Sequence, residues 1–130
     1  MKIVLKNSSL FDRPEIPAKD YEPELSACFM VRWRLEIGPA ESETYESYVY
    51  TICTPYWIAE QEWNAPIISG WPYNVVLRYD YNAIVSHLKS HIGFGHYSFW
   101  ETFHYNMCFI AEPVNAASSI GKVDGLSDQL

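Results

Sequence analysis

The sequence predicts an α+β domain, an antiparallel sheet of about four strands with two or three helices packed on one face. Three observations carry this. From Cys28 to Ile37, the apolar residues Phe29, Val31, Trp33, Leu35 and Ile37 alternate with Met30, Arg32, Arg34 and Glu36, the period of a strand with one buried face. From Glu46 to Trp57 the chain passes from β-branched and aromatic residues to Thr54-Pro55, a side-chain cap followed by the residue that best fits a first helical position. Further on, Tyr81, Ile84, Val85, Leu88 and Ile92 recur at helical spacing behind Asp80, a good cap.

In chain order, Lys2 to Lys6 reads as a short strand with Ile3 and Leu5 on one face, and Asn7-Ser8-Ser9 as a turn. Phe11 to Glu24 holds Pro14, Pro17 and Pro23, which exclude a regular helix or a central strand. It reads as an ordered loop pinned by Phe11 and Tyr21, with disorder as the alternative. The strand Cys28 to Ile37 stops at Gly38-Pro39-Ala40 and pairs as a hairpin with Tyr45 to Cys53. In that register Tyr48, Tyr50 and Ile52 share the core face with Trp33.

A short helix begins near Pro55, with a strand ending in an ordinary turn as the alternative. Asn64 to Pro72, with Pro66, Gly70 and Pro72, is irregular, and Tyr73 to Tyr79 resumes a strand. The Asp80 helix ends at Gly93, and a second helix runs from Ser98 to about Met107, with Phe99, Phe103 and Met107 stacked four apart. Cys108-Phe109-Ile110 is the alternative start of a last strand. Residues 1–114 make a single domain, and the small polar residues of 115–130 read as a flexible tail.

The 130 residues are 48% apolar and include five Trp, ten Tyr and six Phe, enough for a core, and the surplus tyrosines either line sheet edges or supply a binding surface. Net charge is −7, and Glu36, Glu41, Glu43, Glu46, Glu60 and Glu62 fall in one stretch without a Lys or Arg. Such a field disfavours nucleic acid and anionic membranes and favours a basic protein partner; a solvated acidic face is the plainer reading. Cys28, Cys53 and Cys108 make neither a CxxC pair nor an even set, so reduced thiols in a cytoplasm fit best. The N-terminus lacks the apolar run of a signal peptide, and no stretch approaches a membrane span.

Catalytic chemistry finds little support. His87 and His91 stand four apart, but Leu88 and Lys89 occupy the place of a metalloprotease glutamate and no third ligand is evident. Cys53 has no base that the sequence can place beside it, and Gly93-Phe94-Gly95 is too short for a phosphate loop. The sequence therefore indicates no catalytic residue, metal or cofactor.

Glu46-Ser47 leading into an alternating strand, Cys53-Thr54-Pro55-Tyr56-Trp57, and the later Arg78-Tyr79-Asp80-Tyr81-Asn82 with Ile84 together resemble immunity protein family eight of bacterial polymorphic toxin systems. The likeness spans roughly residues 25 to 103, and the chain departs from the family's Trp-rich ending after Met107. The resemblance implies a cytoplasmic immunity protein that binds a cognate toxin domain and blocks it by occlusion. The acidic stretch and its aromatics then supply candidate toxin contacts: Glu41, Glu43, Tyr45, Glu46, Tyr56, Trp57, Glu60, Glu62 and Trp63. A small-ligand domain or enzyme with an aromatic-lined pocket, and a subunit of a larger assembly, stay open as alternatives.

Overall fold

The computed structural model describes residues 1–61, 70–93 and 100–114. Five strands form one sheet: β1 (Ile3–Leu10), β2 (Met30–Pro39), β3 (Glu46–Cys53), β4 (Tyr73–Val75) and β5 (Glu112–Pro113). Three α-helices accompany it: α1 (Pro55–Glu60), α2 (Tyr81–Gly93) and α3 (Trp100–Met107). The α+β architecture is as expected.

β2 and β3 form the antiparallel centre, with Trp33 opposite Tyr50, Leu35 opposite Tyr48 and Val31 opposite Ile52. This is the register that alternation alone predicts. Trp33, Leu35, Ile37, Tyr48 and Ile52 are fully buried on one face, and Ile84, Leu88, Ile92, Phe103 and Met107 of α2 and α3 close over them. Aromatic pairs recur within this core: Trp33 lies 6.3 Å from Tyr50, 5.7 Å from Tyr81, and each such pair adds about 0.5–1.5 kcal/mol beyond burial.

Three details depart from the sequence reading. β1 does not stop at Lys6: it runs through Asn7, Ser8 and Ser9, which pair with Glu36, Leu35 and Arg34. The register shifts between Leu5 and Asn7, so one residue is absorbed as a bulge. The pairing offered by β2 overrides the turn preference of Asn-Ser-Ser. The strand expected over Tyr73 to Tyr79 is only Tyr73–Val75, and it runs parallel to β3, with a crossover that includes α1 between them. The last strand is β5, not Cys108 to Ile110, which turn after α3.

β3's far edge is thereby shared. β4 occupies Thr51 to Cys53 and β5 occupies Tyr48 and Val49. The Asn74 side-chain amide spans the gap, donating to the carbonyls of Thr51 at 3.0 Å and Ile110 at 2.8 Å.

The proline-rich segment is ordered as expected, with a 3-10 turn at Ala18–Asp20. Arg32 lies over the Phe11 ring at 5.1 Å and pairs with Asp12, and Tyr21 meets Tyr79 edge-on at 5.6 Å. Residues 115–130, and with them the expected tail, lie outside the described residues, as does Phe99.

Candidate functional site

The predicted contact residues occupy the two ends of β3. The eight residues of that strand span about 25 Å, so Glu41, Glu43, Tyr45 and Glu46 stand at one end and Tyr56, Trp57 and Glu60 at the other. Glu62 and Trp63 lie outside the described residues.

The hairpin end is built on Gly38. A Cβ there would sit 2.2 Å from the Thr44 carbonyl oxygen, so the chain turns back as tightly as it does only because the residue has no side chain. The turn is then tied locally. Ser42 Oγ lies 2.7 Å from Thr44 Oγ1 and accepts from the Thr44 amide at 3.1 Å, while the Ala40 amide reaches the Lys2 carbonyl at 2.8 Å. Lys6 Nζ donates to the Ser42 carbonyl. Glu41, Glu43 and Glu46 project from this fixed turn into solvent. Among the described residues, ion pairs join Arg13 to Glu15 and Arg32 to Asp12, and none involves these three carboxylates.

Beside them opens a cleft of about 250 Å³ lined by Met1, Pro39, Thr44, Tyr45, Glu46 and Trp100. Trp100 was not among the sequence candidates. It arrives through Tyr48: the buried Tyr48 hydroxyl is 2.8 Å from His104 Nδ1, and its ring meets Phe103 edge-on at 6.4 Å. Trp100 stacks on Phe103 at 5.0 Å, one turn nearer the hairpin, and Glu101 follows it as a further exposed acid. Burial first, then the nearby Cys108 and Glu46, pushes the Tyr48 hydroxyl well above the usual tyrosine range, so it stays a neutral partner for His104. Nothing in the sequence around Trp100 signals a neighbour more than fifty positions away; only the pairing of α3 with β3 brings them together.

At the other end the sequence signature of the helix start is realised. Thr54, fully buried, accepts from the Trp57 amide at 3.4 Å and from the Phe29 amide at 3.1 Å, and its own amide donates to the Phe29 carbonyl. One side chain thus caps α1 and ties the exit of β3 to the entry of β2. Tyr56 is exposed, Trp57 is half-buried against Tyr73 at 5.9 Å, and Glu60 accepts from the Cys28 thiol at 3.4 Å. Desolvation and then Glu60 push that thiol up, which makes Cys28 a poor nucleophile. Burial does the same to Cys53 and Cys108.

The His87–His91 pair is divided by its surroundings. His91 Nε2 lies 3.3 Å from the Asn106 carbonyl in α3, whereas His87 is exposed. Among the described residues, no three His, Cys, Asp or Glu side chains converge as metal ligands would.

A family model described as Immunity protein 8 matches residues 3–112, nearly the whole described chain. The chain belongs to this family. No curated protein and no solved structure gives a match. Membership in an immunity-protein family makes a toxin the class of partner, and both ends of β3 fall within the matched span. Among the described residues no helix is long and apolar enough to cross a membrane.

Proposed function

We propose that this immunity protein neutralises its cognate toxin domain in the cytoplasm by occlusion, without catalysis, docking with its acidic hairpin end. The carrying observation is the set of exposed carboxylates Glu41, Glu43 and Glu46, without an ion pair among the described residues, beside a cleft lined by Tyr45, Glu46 and Trp100. Presented by the ordered backbone of a tight turn and without an ion pair among the described residues, these charges attract a basic surface from a distance. The cleft then supplies what charge alone does not, an aromatic pocket for one anchoring side chain inside a polar rim. A toxin with a basic substrate groove, such as one acting on nucleic acid, has the matching field.

The aromatic end of β3 belongs to the same reading. A standard interface buries about 800 Å² on each partner, a patch roughly 30 Å across, which reaches from Glu41 to Tyr56, Trp57 and Glu60 along one strand. Glu62 and Trp63 follow in sequence. The test is co-expression with the toxic domain encoded beside this chain, followed by titration of the two purified proteins. Rescue of growth with nanomolar or tighter binding supports the reading. Survival without a complex would sink occlusion.

A further inference from the structure

β3 opens with a carboxylate on the core-facing side of the sheet. Alternation puts Glu46 on the face shared by Tyr48, Tyr50 and Ile52, and its cross-strand partner Ile37 is fully buried. A position in such a column is ordinarily apolar. Here it is charged, close enough to the buried Tyr48 hydroxyl to help push that group up, and it makes no ion pair among the described residues.

What Glu46 meets on that side is aromatic. Trp100, in the first turn of α3, packs on Phe103 and lines the cleft together with Tyr45, which is 49% exposed, and with Pro39 and Met1, whose side chain packs against the core. The volume of about 250 Å³ falls below the roughly 300–1,000 Å³ usual for small-molecule sites and suits a single side chain. Aromatic faces are negative above the ring, so the rings and the carboxylate favour a cation together. Lys6, which reaches the same turn, donates to the Ser42 carbonyl and pairs with none of its carboxylates.

Of the two cationic side chains, arginine fits better. Its guanidinium is planar and weakly hydrated, so it lies on a ring while its edge donates to a carboxylate, whereas an ammonium is a compact, strongly hydrated point charge. Building on the reading that the hairpin end docks the toxin, we propose that the cleft between hairpin and α3 receives an arginine side chain of that toxin, stacked against Trp100 and Tyr45 with its N–H groups donating to Glu46.

The test begins without the toxin. NMR titration of the full chain with N-acetyl-arginine methylamide should give saturable shifts of the Trp100 indole, Tyr45 and Glu46, with a Kd of about 1–10 mM. The neutral citrulline analogue should bind about tenfold more weakly, and the lysine analogue about threefold. Glu46→Gln, close to the parent in size, should erase the preference for arginine over citrulline. No saturable shift, equal binding of the lysine or citrulline analogue, a preference for the leucine analogue, or a Glu46→Gln variant that still prefers arginine to citrulline would each overturn the proposal. With the toxin domain itself, Glu46→Gln should weaken the complex about tenfold. A tight complex indifferent to Glu46→Gln would overturn the arginine contact and leave docking by Glu41 and Glu43 standing, whereas no complex at all would sink the docking reading along with it. Self-association abolished by Glu46→Gln would give the cleft to a second copy of this chain and overturn the toxin as the source of the arginine.

Discussion

The two ends of β3 use polar groups in opposite ways. At the α1 end, Thr54 is fully buried and its hydroxyl and amide are spent on Trp57 and Phe29, so polarity there holds the fold. At the hairpin end, hydroxyls and amides tie the turn to itself and to β1, and three exposed carboxylates make no ion pair among the described residues. A buried polar group that is satisfied specifies structure, whereas an exposed charge that is fixed but unpaired contributes little to stability and is available to a partner. The same strand therefore ends in polar groups that hold the fold on one side and in exposed charges on the other.

That contrast breaks most readily at Thr54. Thr54→Val removes the α1 cap and leaves the buried Phe29 amide without an acceptor, and should destabilise the fold by about 3 kcal/mol. Urea unfolding measures this, and Thr54→Ser should restore most of the loss. Equal stability of Thr54→Val and the parent would remove the structural half of the comparison.

Gly38→Ala comes next and acts at the opposite end. Its Cβ would meet the Thr44 carbonyl at 2.2 Å, so the turn must shift, at about 2 kcal/mol in thermal unfolding, and toxin binding should fall with it. The triple reversal of Glu41, Glu43 and Glu46 to Lys separates the two effects. Stability should move by only about 0.5 kcal/mol, while association with the toxin at low salt should slow about tenfold, a difference that added salt erases. An unchanged on-rate would take the hairpin out of the interface.

The smallest expected effect near neutral pH concerns both ends together. Tyr48, Tyr50 and Tyr79 are each pushed above the usual tyrosine range by burial first, Tyr50 and Tyr79 to about 12. A raised folded pKa means that the protonated hydroxyl is favoured in the native chain. Its stabilising contribution is complete below about pH 10 and is lost as pH rises through 12. Ring-carbon NMR should show these three tyrosines still protonated at about pH 11, above the usual tyrosine value of about 10; deprotonation near pH 10 would contradict their burial.

What was legible in the sequence was local or periodic. β2 and its register with β3 follow from unbroken alternation, α2 from one apolar stripe, and the Thr54 cap from two adjacent residues. What was not legible depends on partners distant in the chain. Asn7-Ser8-Ser9 look like a turn until β2 supplies a ladder for them, and nothing in Tyr73–Val75 itself signals that β4 pairs parallel to β3. The candidate site was half readable for the same reason. The acids of the hairpin lie together in sequence, whereas Trp100 reaches their cleft through Tyr48 and Phe103, and the distance separating Glu41 from Tyr56 is set by the length of β3.

The divided far edge of β3 has a bearing on how the chain behaves when no toxin is present. A sheet border with a long row of free amides and carbonyls is a template on which further strands, including those of identical molecules, can add. Here two fragments of three and two residues take up that border, and a single side-chain amide, Asn74, fills the interval between them. A second copy approaching β3 from this side thus meets backbone positions from Tyr48 to Cys53 that are already taken, which turns strand addition away from the middle of the sheet.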